Sequence, residues 1–403
     1  MRDFPSFVDL SHFGSAMELH RCLERWVRLH ALLHNRSAYD PFRSSGELSF
    51  NFCLTLSLPC ILTNRGQLEN KIEPARKILK EDMVMPTLEE VKTCRAYIKK
   101  VLQETTIGEG IYFKNLTFFP LINGEIDPLE CLLLEEAIAM KAASVTEVSE
   151  SGSVPNLMVC NNSTLPILVP EGEILIGGKQ NRVVNLTVII KPYSYFVLPV
   201  SCVEQGRWRN ASASFSPEFH APPTLRARKM RNIHQMDTHA PVEEHVQSSV
   251  WDEVDRYLDE ASASAPTRSM PETFRSHQTE IEEYRKNLTL EPRANGVAAV
   301  CGGTLLGVEM FNSPAKLQRV WGRLSQAYIL EALTERFQPK LPKASSQVVK
   351  DFLKGLGSKT GRKAFPAGDG FELKILKNDL FGSAVFYEGR LCHLVALTLE
   401  VQY

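Results

Sequence analysis

The stretch from residue 145 to residue 203 alternates short β-branched and apolar runs with turn-forming residues, and this pattern constrains the fold more than any other feature. The intervening turns are rich in Asn, Gly, Pro and Ser, which end strands and form tight corners. Strands spaced in this way are typical of an antiparallel β-sandwich or an open barrel. The predicted strands cover residues 156–160, 165–169, 173–177, 183–190 and 195–203.

Segments with helical periodicity surround this β-rich block. Thr87 and Glu90 form a capping-box pattern before an apolar stripe, which predicts a helix over residues 87–103. Further predicted helices cover residues 15–34, 128–143, 242–262, 271–287 and 314–337. Two strands flanking Gly302-Gly303 predict a hairpin over residues 297–311. Three more strands are predicted at residues 371–376, 383–388 and 391–399.

These elements predict an α+β fold. Its core is an antiparallel β-sandwich or open barrel with flanking helices, joined by a C-terminal hairpin–helix–meander unit and a helical N-terminal extension. A chain of 403 residues exceeds the size at which one core stops growing. We therefore predict units at residues 1–106, 107–209, 210–295 and 296–403. Within the third, the proline-rich residues 210–241 predict a long mobile or substrate-covering loop.

Composition narrows the class of protein. The formal net charge is -1, which disfavours a nucleic-acid partner and gives no general attraction to acidic membranes. The nine cysteines include no CxxC pair, which argues against a disulfide framework or a structural zinc site and favours a reducing compartment. The longest apolar run contains Pro59 and is too short to cross a bilayer. We therefore expect a cytoplasmic protein with no membrane partner.

Polar residues concentrate in two predicted bends, and these mark the candidate site. Residues 179–182 precede one apolar strand and residues 204–208 follow the next. Burying so many carboxylate, amide and guanidinium groups is costly without a ligand or a complete hydrogen-bond network. We predict that the bends meet at one concavity, where Glu173 and Glu204 are the candidate acid/base carboxylates. The predicted ligand-binding residues are Lys179, Gln180, Asn181, Arg182, Gln205, Arg207 and Trp208.

Purely structural roles remain open for the same residues. Glu171 and Glu173 also fit a solvated hairpin corner, and residues 204–208 also fit an ion pair and a packed indole that close the sheet. Cys202 shares the parity of the apolar residues on its strand, so a buried structural thiol is favoured over a nucleophile. The nearby Arg207 and Arg209 keep the nucleophile open as the alternative.

Histidines and basic residues in the predicted loop give weaker signals. His220, His234, His239 and His245 lack the spacing of a metal site, so no metal is predicted. The basic set over residues 226–231 is short and lacks interleaved aromatics, which favours solvated loop charge. The residues identify no cofactor and no protein partner.

Several motifs resemble a known family, the domain associated with ADP-ribosylglycohydrolases (ARG) and rhodanese-phosphatase proteins. The resemblance extends from about residue 111 to residue 399. Its central motifs are Gly172-Glu173, Lys179-Gln180-Asn181-Arg182 and Val200-Ser201-Cys202-Val203-Glu204-Gln205-Gly206-Arg207-Trp208. Flanking matches occur at residues 145–155, 251–254, 307–311, 381–384 and 393–394. The resemblance implies a link to ADP-ribose, nucleotide or phosphoester metabolism by association alone.

Two classes of function follow. The first is a protein that binds or processes a nucleotide-derived or phosphorylated small molecule, for which the resemblance implies a link to ADP-ribose metabolism. The alternative is a non-catalytic interaction or sensing module. Two carboxylates converging on the arginines at one cavity would favour the enzyme, whereas carboxylates dispersed over separate faces would favour the module.

Overall fold

The computed structural model describes residues 85–124, 129–235, 242–260, 263, 265–334 and 344–399. The predicted helix at residues 15–34 lies outside this part of the chain, as does His239. The helices are α1 (Leu88–Glu104), α2 (Leu134–Ala139), α3 (Pro223–Gln235), α4 (Val242–Glu260), α5 (Met270–Ser276), α6 (Gln278–Asn287), α7 (Pro314–Leu333) and α8 (Ser346–Leu356).

The strands occur mainly in two runs, one before α3 and one after α6. Strands β1 to β6 are Thr106–Ile107, Ile111–Phe113, Leu116–Ile122, Leu132–Leu133, Ala143–Glu147 and Asn156–Asn161. Strands β7 to β12 are Ile167–Val169, Glu173–Gly177, Arg182–Val184, Val188–Ile190, Ser194–Cys202 and Phe215–His220. Strands β13 to β18 are Gly296–Cys301, Thr304–Phe311, Thr360–Ala367, Gly370–Lys377, Leu380–Tyr387 and Arg390–Thr398.

The strands form three sheets in the described residues. A nine-stranded sheet has the order β1-β3-β13-β14-β18-β17-β16-β15, with β2 also paired to β3. A six-stranded sheet has the order β12-β8-β9-β11-β6-β5, and a three-stranded sheet the order β10-β7-β4. The pairing within the two larger sheets is antiparallel, as in the hairpins predicted from the turn residues. The α+β fold class is confirmed.

Helix α1 forms as its sequence predicts. Thr87 Oγ1 accepts a hydrogen bond from the Glu90 backbone N–H (3.3 Å), and the Glu90 carboxylate accepts one from the Thr87 N–H (2.7 Å). This reciprocal pair satisfies two backbone donors that the first turn leaves free. The predicted apolar stripe is buried: it consists of Val91, Cys94, Ile98, Val101 and Leu102.

Both faces of the nine-stranded sheet are covered. In β13, Val297 and Ala299 belong to one apolar cluster, while Ala298 and Val300 belong to another, as expected from the two-residue repeat of a strand. The second cluster includes the buried side chains of α1 and α8. The first includes most of the buried apolar side chains of α7 and Leu225 of α3. Helix α7 also contacts β12, so it lies between the nine-stranded and six-stranded sheets.

The predicted loop at residues 210–241 is wrong for most of its length. It contains strand β12 and helix α3 instead. Pro217 is tolerated because β12 is the edge strand of its sheet, where one side needs no ladder hydrogen bonds. Pro223 occupies the first position of α3, where a missing N–H costs nothing.

Several other boundaries differ from prediction. The strand at residues 183–190 is two strands in different sheets, because residues 185–187 leave the ladder between them. The helix at residues 271–287 divides at His277, whose φ of -104° departs from helical geometry. Much of the helix predicted at residues 128–143 is replaced by β4, the short α2 and the start of β5. Helix α8 and strand β15 were not predicted, and β15 makes the C-terminal meander four-stranded.

A glycine permits the contact between the three-stranded and nine-stranded sheets. Gly368 has φ of +69°, and a Cβ there would lie 2.1 Å from the Ile189 carbonyl oxygen. Gly389 also has positive φ (+74°), but a Cβ there would meet nothing within 4 Å.

We expect Gly389→Ala to lower the free energy of unfolding by about 1 kcal/mol, from backbone strain alone. Gly368→Ala adds a clash with backbone, and we expect at least about 2 kcal/mol more.

Urea denaturation of the two variants checks this difference. Equal midpoints for Gly368→Ala and Gly389→Ala would contradict the close contact at Ile189. The Gly389 variant is the matched control, because it shares the positive φ and lacks the clash.

Candidate functional site

Three bends meet at one end of the six-stranded sheet, and together with the flanking residues Glu147 and Arg182 we call them the bend site: residues 147–155, 178–182 and 203–214. Strand pairing places them there. Arg182 at the start of β9 lies opposite Cys202 at the end of β11, so the bends before and after them are neighbours. Glu147, the last residue of β5, pairs with Leu157 near the start of β6. This pairing brings the bend at residues 148–155 to the same end of the six-stranded sheet.

Arg207 joins the two predicted bends. Its Nε donates to Glu204 Oε1 (2.9 Å) and its Nη2 to Glu204 Oε2 (2.7 Å), which forms a two-pronged ion pair. Its Nη1 donates to the Gly178 carbonyl (2.6 Å), and its Nη2 also donates to Asn181 Oδ1 (3.2 Å). The Asn181 N–H donates to Glu204 Oε2 (3.1 Å). The two bends therefore contact each other directly.

The turn at Gly178 admits no larger residue. Its φ is +47°, and a Cβ would lie 2.1 Å from the Phe215 ring. The tight turn directs the Lys179 backbone N–H at Glu147 Oε1 (3.0 Å). The Lys179 ammonium donates to the Ser151 carbonyl (2.7 Å), so the bend at residues 148–155 is attached to the bend at residues 178–181.

Arg182 is fully buried and incompletely paired. Its side chain is 0% exposed, and its Nη1 donates to the Gln180 carbonyl (2.8 Å). Its Nε and Nη2 have no hydrogen-bond partner among the described residues. The nearest carboxylate oxygen forming an ion pair with it is Glu147 Oε1, 3.9 Å from Nη2, which is too long for a hydrogen bond. Glu147 Oε2 is also buried, and it has no hydrogen-bond partner among the described residues.

Trp208 covers this charged group from outside. The indole is 49% exposed, although tryptophan is a large apolar side chain. The Arg182 guanidinium carbon lies 5.8 Å from its ring centroid, and the Lys179 ammonium lies 5.4 Å from it. The bend site therefore combines an aromatic plane with four cations, Lys179, Arg182, Arg207 and the exposed Arg209, and three carboxylates, Glu147, Glu204 and the exposed Glu150.

The two candidate acid/base carboxylates have different surroundings. Burial would raise the pKa of Glu204, but hydrogen bonds from Arg207 and Thr267 outweigh it, so the pKa lies below its ordinary value. Glu204 is therefore ionised and fully engaged. Glu173 lies at the opposite end of β8 from the bend and pairs with Arg323 of α7 (3.0 Å). Burial raises its pKa and outweighs the attraction of Arg323.

The solvated hairpin corner considered for Glu171 and Glu173 is wrong. Both side chains are buried, because the corner is packed between the six-stranded sheet and helices α3 and α7, whose cations pair with the two carboxylates. Of the predicted site residues, the structure thus brings together those at 179–182 and 204–208. Glu173 stands apart from them, and its acid/base role stays a prediction.

Cys202 is a buried thiol, as the parity of its strand indicates. Its backbone N–H donates to Gln247 Oε1 of α4 (2.7 Å), and its Sγ donates to Gln180 Oε1 (3.0 Å). Burial raises its pKa to about 11, and the neighbouring guanidinium of Arg182 does not offset that effect. A neutral, hydrogen-bonded thiol is a poor nucleophile.

A second charged cluster, which the sequence did not predict, lies in the interior. Arg226 of α3 is 0% exposed, and it donates from Nε to Glu171 Oε1 (2.7 Å) and from Nη1 to Glu309 Oε2 of β14 (2.9 Å). Lys229, one turn later on α3, donates to Glu171 Oε2 (3.1 Å) and to the Val184 carbonyl. The solvated loop charge expected for residues 226–231 is therefore wrong for Arg226 and Lys229.

Two further residues close this cluster into a ring, which we call the charge ring. His393 Nε2 lies 3.0 Å from Glu309 Oε1, and its Nδ1 lies 3.0 Å from Thr187 Oγ1. Thr187 Oγ1 accepts from the Glu171 N–H (3.0 Å), so its hydroxyl proton is available to His393 Nδ1. A neutral imidazole with the proton on Nε2 satisfies every contact.

The ring shifts the pKa values of its members. Burial would raise the pKa of Glu171 and of Glu309, but the charge of Arg226 outweighs it, so both pKa values lie below the ordinary range. Burial and the charge of Arg226 lower the pKa of the adjacent His220 to about 3. His220 is therefore neutral at physiological pH. No three His, Cys, Asp or Glu side chains are arranged to hold a metal ion within the described residues.

Comparison with known proteins identifies a family. The model of the ARG and Rhodanese-Phosphatase-superfamily-associated Protein domain matches residues 104–397. No curated protein and no solved structure matches the chain. None of the described helices is both long enough and apolar enough to cross a membrane.

Cys202 provides a test of reactivity. With a pKa of about 11, roughly one thiol in a thousand is ionised at pH 8, and the side chain is buried. We expect iodoacetamide to leave Cys202 unmodified in the folded protein and to alkylate it rapidly in urea. Mass spectrometry of the peptide that contains Cys202 measures both. Rapid alkylation of the folded protein would restore the nucleophile interpretation.

Glu372 of β16 provides a test of pH dependence. Burial raises its pKa to about 7, because the attraction of Lys374 offsets only part of the desolvation. The folded state thus holds the proton more tightly than the unfolded state, so this stability is present below pH 4.5 and is lost as pH rises through 7. We expect Glu372→Gln to stabilise the protein by about 3 kcal/mol at pH 8 and by about 1 kcal/mol or less at pH 5.

Urea denaturation at the two pH values measures this effect. Glu218→Gln is the control, because Glu218 is an exposed carboxylate on β12. A gain for Glu372→Gln that is equal at pH 5 and pH 8 would rule out titration of Glu372 as its cause.

Proposed function

The chain belongs to the ARG and Rhodanese-Phosphatase-superfamily-associated Protein domain family, and from that premise we propose that the bend site binds a phosphate-containing small molecule derived from a nucleotide. The proposal concerns binding by residues 179–182 and 204–208, together with Glu147. The family description associates the domain with ADP-ribosylglycohydrolases, which makes ADP-ribose the first compound to test.

The state of Arg182 carries the proposal. A buried guanidinium with two unpartnered nitrogens loses its hydration without replacing it. The oxygens of a phosphate or diphosphate supply two acceptors in the geometry that a guanidinium prefers. The four cations of the site exceed its three carboxylates by one, so an anionic ligand also balances the local charge.

The exposed indole supports the nucleotide part of the ligand. Trp208 presents a ring face beside Lys179 and Arg182, so a base stacked on it lies close to the cations that hold the phosphate. Stacking of a base on an aromatic side chain contributes about 1–3 kcal/mol. Because Trp208 lies in the exposed bend 203–214, its movement would give a ligand access to Arg182.

Binding without catalysis is the form of the proposal that the geometry favours. Glu204 is held in a two-pronged ion pair with Arg207, and Glu173 lies at the other end of its strand. Cys202 is a neutral buried thiol. The dispersal of these groups fits a sensing or binding module better than an enzyme that uses them. Six buried free cysteines in the described chain also fit the cytoplasmic location that we propose.

Thermal-shift and fluorescence titrations test this function. We expect ADP-ribose or a related nucleotide to raise the melting temperature of the wild type and to quench Trp208 fluorescence; occupancy at 100 times Kd corresponds to about 2.7 kcal/mol of stabilisation. Trp208→Ala removes only a half-exposed side chain, and we expect it to weaken binding about tenfold through lost stacking. Lys179→Ala removes one cation and is expected to weaken binding as well.

The control variant is Tyr112→Ala, which removes another exposed aromatic side chain from a different sheet. It should bind as the wild type does. Recovering the ligand unchanged by chromatography after long incubation supports a binding module, while conversion to products would show an enzyme. No melting shift with ADP-ribose, nucleotides or phosphosugars would contradict the proposed function.

A further inference from the structure

A basic groove lies on the outer surface of the protein, between α1 and α8. Its volume is about 560 Å³. Four of its lining residues are basic, Lys92, Arg95, Lys99 and Lys354, and none of the lining residues is acidic. The groove lies beside the α1 and α8 side of the nine-stranded sheet, whereas the bend site belongs to the six-stranded sheet. The two sites are independent.

Helical spacing places three of these bases in a row. Lys92, Arg95 and Lys99 are separated by three and four residues, so they share one face of α1. At 1.5 Å per residue, the row is about 10 Å long. The apolar stripe of α1 faces the core, which directs this row to the surface beside α8.

The positive charge of the groove is largely uncompensated. Lys92 pairs with Glu89 (2.9 Å), but the two side chains are 69% and 79% exposed, and such a pair contributes little. The Nε of Arg95 donates to the Thr360 carbonyl (3.2 Å), a neutral acceptor that fixes the side chain without cancelling its charge. Within the described chain, neither Lys99 nor Lys354 has a carboxylate within 4.0 Å.

Helix capping explains only one of the four bases. Lys354 lies in the last turn of α8, where a cation complements the helix dipole. The three bases of α1 are not in its last turn, which contains no basic residue. Gly357 holds this end of α8 against α1: a Cβ at Gly357 would lie 3.3 Å from Lys99 Cα. This close approach brings charges that repel each other to opposite walls of one groove.

We propose that this groove binds a small molecule carrying several phosphate groups. Three cations along a row of about 10 Å, with Lys354 on the opposite wall, match more than one phosphate. The volume suits a compact ligand, and the anion would relieve the repulsion between the walls. The groove lining includes no aromatic side chain, so it lacks the stacking surface with which proteins bind single-stranded nucleic acid.

Calorimetric titration of the full chain tests the proposal with inorganic tripolyphosphate and inositol hexakisphosphate as probes. We expect both to bind, with affinity that falls as salt is added, and orthophosphate to bind at least about tenfold more weakly. Lys99→Ala/Lys354→Ala should lower the affinity for both probes at least about tenfold, because each charged hydrogen bond lost costs about a factor of ten or more.

The matched control is Lys141→Ala/Lys286→Ala, which removes the same charge from two exposed positions elsewhere. It should bind both probes as the wild type does. Equal loss in the control, or no binding by the wild type, would overturn the proposal. Tighter binding of a single-stranded oligonucleotide, lost in Lys99→Ala/Lys354→Ala, would also overturn it and identify a nucleic-acid surface. If no ligand binds at the bend site, this result is unaffected, because the groove variants and the bend-site variants change different residues.

Discussion

The position of α3 between the sheets depends on the ion pairs of Arg226. Each buried charge costs several kcal/mol of desolvation, and the cost is recovered only when partners satisfy the charge. Arg226 has two carboxylates, Glu171 and Glu309, from different parts of the chain. His393 and Thr187 complete the remaining contacts. The charge ring specifies one position for α3. A displaced α3 would leave the buried carboxylates of Glu171 and Glu309 without the cation of Arg226, which costs more free energy than the loss of apolar contact alone.

The charge ring also fixes the geometry of the bend site. Glu171 lies two residues before β8, and β8 extends about 13 Å from Glu173 to Gly177, where the turn at residues 178–181 begins. The pairing of β9 with β11 then sets Arg182 opposite Cys202. Two anchors thus position one loop: the ring holds the start of the strand, and Arg207 holds its end through the Gly178 carbonyl. Contacts therefore hold both ends of the strand that leads into the bend.

The sequence predicted the elements that are determined by interactions between residues close together in the chain. The capping box and apolar stripe of α1 involve residues within one helix, so the sequence displays the whole set of causes. The contact between the two bends was also predicted, from the density of polar groups beside apolar strands. Arg226 was missed because its partners are 55 and 83 residues away, a distance that periodicity does not report. One signal was present: Pro223 is followed by twelve residues without Gly or Pro, as expected for a helix with proline in its first turn.

Three buried arginines differ in how completely their side chains are paired, and this difference supports the ligand proposed for the bend site. Arg226 is paired with two carboxylates, and Arg323 contacts Glu135 and Glu173. Arg182 is as deeply buried as Arg226, yet its only carboxylate neighbour within 4.0 Å in the described chain is too far for a hydrogen bond. Among the described residues, Arg226 Nη2 and Arg323 Nε each lack a hydrogen-bond acceptor, whereas Arg182 lacks acceptors for two nitrogens, Nε and Nη2. Because an unsatisfied buried guanidinium is costly, the two unpartnered nitrogens of Arg182 support the proposal that an acceptor from outside the chain binds there.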